Sequence, residues 1–373
     1  MRAVAAKYER IRNMGIIIAI IVFGLIVTVH EFGHFICAKL SGIKVLEFSV
    51  GMGPKLLQKQ KGETKYSLRL LPVGGYCAME GEDSTNSDPR SFRNARLWKR
   101  MLVLVAGPLM NFVLGFIACI ILACMYEGIP TAQVGFFAKA KTEDGTVISV
   151  SHSEQTGLQE GDEIKKIGDI SIFSFMDIPY ALELGDDDYF DVVVKRGGER
   201  MTLKDVCFLN DAKLNSAENS ERRSDFYVAR VPNTPATVMG LSSRLTFSMG
   251  HVVTLSLKQL LTGKAETEDV SGPVGVVTTI NESTKEAETP TDLFFQVIYM
   301  MALISINVGI FNLLPIPGLD GGRLLFCLIE LVRRKPVKPE HEGYVHLAGM
   351  VLLFGIMIFA TYNDIVRLIT GGK

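Results

Sequence analysis

Residues 15–42, GIIIAIIVFGLIVTVHEFGHFICAKLSG, form a run long and apolar enough to cross a membrane, yet they contain His30, Glu31 and His34. An ionisable side chain near a bilayer centre costs about 2.5–3.5 kcal/mol on insertion scales. Three in one span call for a reason, and their spacing supplies one. On a helix, His30 and His34 share a face one turn apart, where two imidazoles can hold one metal ion. Glu31, beside the first, can take a proton from water at that metal. His-Glu-x-x-His is the pattern of zinc proteases. A bare match also arises by chance in soluble helices, as solvated surface histidines. Inside hydrocarbon that reading is largely excluded.

The chain has 373 residues, of which 48% are hydrophobic. Its 39 basic and 40 acidic residues leave a formal net charge of −1, so there is no basic footprint for nucleic acid. The six cysteines have no zinc-knuckle or redox spacing and read mainly as small apolar fillers. Cys37, three residues after His34, shares its face approximately and stays a candidate third ligand.

Four stretches, 15–38, 101–125, 293–319 and 345–362, can each span a bilayer, which takes about 20 residues. Lysine and arginine set the orientation. They crowd the connection between the first two spans, including Lys55, Lys59, Arg93 and Arg100, and the short connection holding Arg333, Arg334, Lys335 and Lys338. Both connections are expected in the cytoplasm, with the long connection between spans two and three outside. The four basic residues of MRAVAAKYERIRN at the N-terminus point the other way. A natural start at Met14 would remove that conflict.

After the first span, residues 45–76 alternate apolar and polar residues and predict two or three strands, with Gly51, Gly53, Gly74 and Gly75 at bends or close approaches. Such strands could pair with an extended substrate or form a plain cytoplasmic hairpin. In AGPLMNF of the second span, Pro108 and Asn111 are unusual in hydrocarbon and are expected to face protein. Within residues 131–205, short strands surround a Gly-Leu-x-x-Gly-Asp turn at 157–162. This order resembles a bacterial PDZ domain, a module that captures extended chain ends, with AQVGFFAK around Gly135 a candidate carboxylate-binding loop. Residues 206–240 are polar and say little, and 241–261 predict an amphipathic helix. His152, His251, His341 and His346 read as surface residues. The domains expected are an N-terminal membrane half (1–130), the PDZ-like domain (131–205), a connecting segment (206–290) and a C-terminal membrane half (291–373).

Catalytic zinc usually has three protein ligands and an open fourth position. Among the later apolar runs one acid stands out. Asp320 ends the uncharged stretch 293–319, beside Pro315 and Pro317, which stop a regular helix, and Gly321 and Gly322, which allow a tight turn. Cys37 and an acid of the cytoplasmic loop, such as Glu80, are its competitors. With HEFGH, FSVGMGP, LLPVGGY, AGPLMN, SGPVG and NLLPIPGLDGG in this order, the chain resembles the site-2 protease family of intramembrane zinc metalloproteases, closest to the bacterial regulator-of-sigma-E protease type. It departs in offering room for one PDZ domain, and in Arg323, where many relatives have histidine.

The resemblance implies a polytopic α-helical membrane protein of the bacterial cytoplasmic membrane. About four transmembrane helices would accompany a cytoplasmic membrane-associated β-hairpin and an extracytoplasmic PDZ-like α+β domain. It makes His30, His34 and Asp320 the ligands of one zinc ion per chain and Glu31 the base. It has Asn312 hold the substrate backbone or developing oxyanion. The implied substrates are single-span membrane proteins already trimmed outside, such as anti-sigma factors, or signal-peptide remnants; a peptide or protein would occupy the PDZ-like domain. Two rivals are a PDZ-bearing scaffold without catalysis, which has no use for Glu31, and a metal transporter, which predicts inverted repeats that the sequence lacks.

Overall fold

The computed structural model describes residues 2–82, 88–137, 139–141, 147–149, 151–185, 188–208, 224–263 and 272–370, with side chains left aside at 2–14, 140–141, 147–149, 283–286 and 339. The N-terminal charges and Ser271 of SGPVG therefore lie outside the described side chains. The chain divides into two compact units, Met1–Ala118 with Ser256–Lys373, and Cys119–Leu255.

The first unit begins with α1 (Arg2–Leu40), followed by the antiparallel pair β1 (Val45–Lys61) and β2 (Thr64–Met79) and then α2 (Leu97–Met125). Its C-terminal part holds α6 (Pro273–Glu286), α7 (Pro290–Leu313), α8 (Asp320–Arg333) and α9 (Pro339–Thr370). Among the described residues four helical segments are long and apolar enough to cross a membrane: Gly15–Leu40, Leu97–Met125, Pro290–Leu313 and Glu340–Thr370. Apolar side chains stand exposed along α9, among them Val351, Leu352 and Ile358, as a lipid-facing helix requires. The third helix ends at Leu313, short of the expected 319. Leu314 is its C-cap, and the Pro315 and Pro317 region passes without helix to Leu319, the N-cap of α8.

The hairpin is bent, as its glycines predict. Gly51, Gly53 and Gly74 have φ of 83°, 84° and 81°, in the left-handed region where a side chain is strained. Register shifts interrupt the ladder between Val45 and Leu57. A polar network crosses the bend. Arg69 Nη2 donates to Glu47 Oε1 at 2.9 Å, Arg69 Nε to Ser49 Oγ at 3.0 Å and Ser67 Oγ to Glu47 Oε1 at 2.7 Å. Burial alone would raise the Glu47 carboxyl, but hydrogen bonding from Ser67, Tyr76 and Arg69 outweighs it and brings the pKa down to about 2. Beyond the bend Leu56, Leu57, Leu70, Leu71 and Val73 are exposed. A Cβ on Gly24 would lie 2.1 Å from Pro72 O, so β2 runs tightly against the apolar part of α1.

The second unit is built on a six-stranded antiparallel sheet. Its order is β10 (Phe226–Val231), β3 (Ile129–Phe137), β6 (Glu163–Ile167), β8 (Tyr189–Arg196) and β9 (Glu199–Cys207), with β7 (Ile170–Ser171) paired to β6. A separate short pair joins β4 (Lys139–Lys141) and β5 (Val147–Ser149). α3 (His152–Gln155), α4 (Asp177–Glu183) and α5 (Pro235–Thr262), the last as far as Leu255, complete the unit. Val134, Leu158, Ile164, Ile167, Val192 and Phe208 form the middle of its core. The Gly-Asp turn is pinned from within: Asp162 is fully buried and takes both Arg196 Nε and Nη2 at 2.7 Å, a bidentate pair. The segment 206–240 thus supplies an edge strand, β10. Gly135 sits within β3, against Ala229 and Tyr227 of β10, so AQVGFFAK is largely strand and its Gly135 stretch is no binding loop. α5 buries Leu241, Leu245, Met249 and Val253, one face at the predicted spacing.

Candidate active site

The helical spacing of His30 and His34 sends both imidazoles toward the start of α8. His30 Nε2 and His34 Nε2 lie 3.0 and 3.2 Å from Asp320 Oδ2, and 3.1 Å from each other. The histidines are 8% and 7% exposed. Asp320 Oδ2 is buried and has no hydrogen-bond donor among the described residues. Two imidazole nitrogens and a carboxylate oxygen therefore converge within 3.0–3.2 Å of one another, a donor set that suits a cation. Ligands at about 2.0–2.2 Å around a tetrahedral zinc stand about 3.3–3.5 Å apart, close to the edges found here. His30, His34 and Asp320 form the group of metal-binding type among the described residues. Cys37 instead packs beside a core that contains Ala38, Val45 and Cys77, and Glu80 pairs with Lys44 Nζ at 2.9 Å.

Backbone and amide partners fix the imidazoles. His34 Nδ1 stands 2.8 Å from Val103 O, an obligate acceptor, so the proton lies on Nδ1 and the Nε2 lone pair faces the cluster. His30 Nδ1 stands 3.2 Å from the side-chain amide of Asn111, which is fully buried. The opposite amide atom, Oδ1, has no partner among the described residues. A half-turn of the amide brings this acceptor to His30 Nδ1–H and frees Nε2 for a metal in the same way.

Span two is shaped to admit the histidines. A Cβ on Gly107 would fall 2.3 Å from His34 Nε2 and 2.9 Å from His30 Cε1, and one on Gly33 2.3 Å from Ala106 O. Small residues thus let α1 and α2 approach at the depth of the site. Pro108 follows within the helix, where its ring removes a backbone hydrogen bond. Glu31, turned about 100° from His30 around the helix, accepts from Cys77 N of β2 at 2.9 Å. The base candidate is therefore oriented by the hairpin. Gly75 on β2 lets the strands approach, since a Cβ there would fall 2.7 Å from Ser49 O, whereas Glu31 Cγ at 3.8 Å would be in ordinary contact.

Asn312 is half-buried and its Nδ2 donates to Val308 O of its own helix at 3.0 Å; no hydrogen bond joins it to the cluster among the described residues. Arg323, one turn beyond Asp320, pairs with Glu82. Two histidines read as surface residues are held inward. His346 Nδ1 accepts from Gly318 N at 2.9 Å and so braces the Pro-Gly loop before Asp320, and His251 packs its ring against Phe173. The sequence reading also missed Val103, whose backbone carbonyl leaves no mark in a sequence, and took Asn111 no further than a residue facing protein.

Such a site, a metal-binding cluster with a carboxylate at its side and among membrane-spanning helices, defines a membrane metallohydrolase. The sequence model of peptidase family M50 matches residues 18–356. A protein of Clostridium acetobutylicum is 34% identical over 356 residues, covering 94% of this chain and 97% of its own length. One of Clostridium perfringens is 35% identical over 356 residues, with 95% and 99% covered. One of Staphylococcus aureus strain COL is 30% identical over 441 residues, with 94% and 98% covered. Each is named, provisionally, as a zinc metalloprotease. The chain belongs to peptidase family M50, the site-2 proteases. It is a multi-pass membrane zinc metalloprotease.

Proposed function

We propose that this protein hydrolyses a peptide bond within or near the transmembrane segment of single-span membrane proteins already trimmed outside, of the anti-sigma-factor or signal-peptide-remnant type. The observation that supports it best is the meeting of His30 Nε2, His34 Nε2 and Asp320 Oδ2 within 3.0–3.2 Å of one another, beside Glu31. His30, His34 and Asp320 would hold the zinc ion, which when bound would supply Lewis-acid polarisation of the scissile carbonyl and a lowered pKa for water. Glu31 accepts the proton of the attacking water and passes it to the leaving amine. The Cys77 N–H keeps its carboxylate turned toward the site. Asn312 steadies the substrate backbone, which requires its amide to turn from Val308 O.

A helical substrate must be unwound before its amide is exposed. The bent hairpin lies along α1 and orients Glu31, so a substrate strand added to it would be held close to the base. The unit built on β3 and β6 to β9 acts as a PDZ-like peptide-binding module on the extracytoplasmic side, and the hairpin faces the cytoplasm. The scaffold alternative has no use for the oriented Glu31.

The test is a cleavage assay of the full chain in detergent on a model single-span substrate. Glu31→Gln keeps the size of the side chain and an acceptor for Cys77 N–H. It should retain zinc and lose at least about 10²-fold in rate, the low end of a general-base contribution. Cleavage by this variant at the wild-type rate would sink the assigned mechanism.

A further inference from the structure

Outside the zinc cluster, arginines gather among the segment before α2, α2 itself, α8 and α9. A cavity of about 310 Å³ there is lined by Arg93, Arg100, Phe326, Glu330, Lys338 and Glu342, with Pro336 and Val337 also in its wall. Arg100 Nη1 pairs with Glu330 at 2.9 Å, and Arg93 Nη2 with Glu342 at 3.3 Å. These pairs leave donors over. The Nε of both arginines is buried without an acceptor among the described residues, and Arg100 is only 8% exposed. A buried donor left unsatisfied is costly, so these guanidinium groups favour a further acceptor beyond those the described residues supply. Among the described residues its lining holds three cations and two carboxylates, one positive charge in excess.

A ligand that fits carries one negative charge and several acceptor oxygens. A phosphate ester has both, and guanidinium groups match its geometry. The position suits a membrane surface. Trp98, at the start of α2, is 57% exposed with Lys99 Nζ near its ring, the placing of an interfacial aromatic. Arg333, Arg334 and Lys335, all exposed, lie just before Pro336, Val337 and Lys338 of the cavity wall. Basic pockets between spanning helices at this level take anionic headgroups. We propose that this cavity is a binding site for a phosphate group, of which an anionic phospholipid headgroup is the membrane source and inorganic phosphate the soluble one.

The test uses the purified full chain in a neutral detergent, with binding counted by native mass spectrometry and followed by thermal melting. The probes are dihexanoyl phosphatidylglycerol, inorganic phosphate, and dihexanoylglycerol, which lacks the phosphate. Phosphatidylglycerol should bind at one copy per chain and raise the melting midpoint, and dihexanoylglycerol should do neither. Lys338→Gln removes an exposed cation. Arg93→Gln with Glu342→Gln removes a pair together, so no carboxylate is left unpaired. Each variant should weaken binding at least tenfold while melting normally without ligand. Equal protection by inorganic phosphate would support the site and identify the soluble source. Failure of both phosphate probes to bind the folded wild type would overturn the proposal, as would binding undiminished in both variants.

Discussion

Gly107→Ala adds one methyl group to α2, and its consequence can be worked from distances. The new Cβ would lie 2.3 Å from His34 Nε2, whereas ordinary contact begins at 3.4 Å, so the imidazole must withdraw by about 1 Å. His30 Cε1, at 2.9 Å, must give about half as much. His34 cannot turn away freely, because Nδ1 is tied to Val103 O at 2.8 Å. Zinc sites tolerate about 0.2 Å in ligand distance, and a misplacement of about 1 Å costs on the order of 10² in activity. The variant should therefore bind zinc at least about 100-fold more weakly, near 3 kcal/mol, and lose cleavage in proportion. Overpacking costs about 1–3 kcal/mol, partly offset by the roughly 1 kcal/mol by which alanine favours a helix interior over glycine, so the melting midpoint should fall only modestly. Zinc affinity is read by competition with a chromophoric chelator on the purified full chain, beside melting curves. Gly355→Ala is the control, because a Cβ there meets nothing within 4 Å. Wild-type zinc affinity and activity in Gly107→Ala would show that the histidines do not meet α2 as described.

Asn111→Leu, which removes the partner of His30 Nδ1, should lower zinc affinity about 10–100-fold, the usual cost of losing such support; an unchanged chelator titration would refute this. Glu47 is held below its ordinary 4.5, at about 2, so its stabilisation of the hairpin is fully present above 4.5 and is lost as pH falls toward 2. Wild-type melting midpoints should fall across that window by an amount worth at most roughly 3 kcal/mol, and Glu47→Gln should flatten the fall; parallel curves would remove Glu47 from the account. For orientation, a cysteine at Gln155 should react with an impermeant reagent on intact cells and one at Lys59 should not, and reversed labelling would invert the protein in the membrane.

The sequence made the pairing of His30 and His34 legible because helical periodicity alone puts them on one face, and hydrocarbon leaves charged side chains few other uses. Asp320 was legible for the same reason, as the first charge after an uncharged run, with the prolines that end α7 early. What supports these groups was not. Val103 O and Cys77 N belong to the backbone, far along the chain, and any residue could carry them. Asn111 looked only like a polar residue in need of protein. Gly107 gave no sign of its purpose, since a helical glycine reveals its neighbour only once two helices are packed. β10 escaped because its six residues are bordered by polar stretches and gain their meaning from pairing with β3. His346 was read as exposed because its partner, Gly318 N, sits in the irregular link before α8.

The central claim is that Asp320 completes a zinc site begun by two histidines on α1. X-ray absorption at the zinc edge of the purified full chain tests it most directly, with Asp320→Ala and Cys37→Ala measured beside the wild type. The wild type should hold one zinc per chain in a shell of nitrogen and oxygen at about 2.0–2.2 Å. Asp320→Ala should lose most of the metal, and Cys37→Ala should give the wild-type spectrum. A sulfur shell at about 2.3 Å that vanishes in Cys37→Ala, or full zinc occupancy with an unaltered shell in Asp320→Ala, would contradict the account.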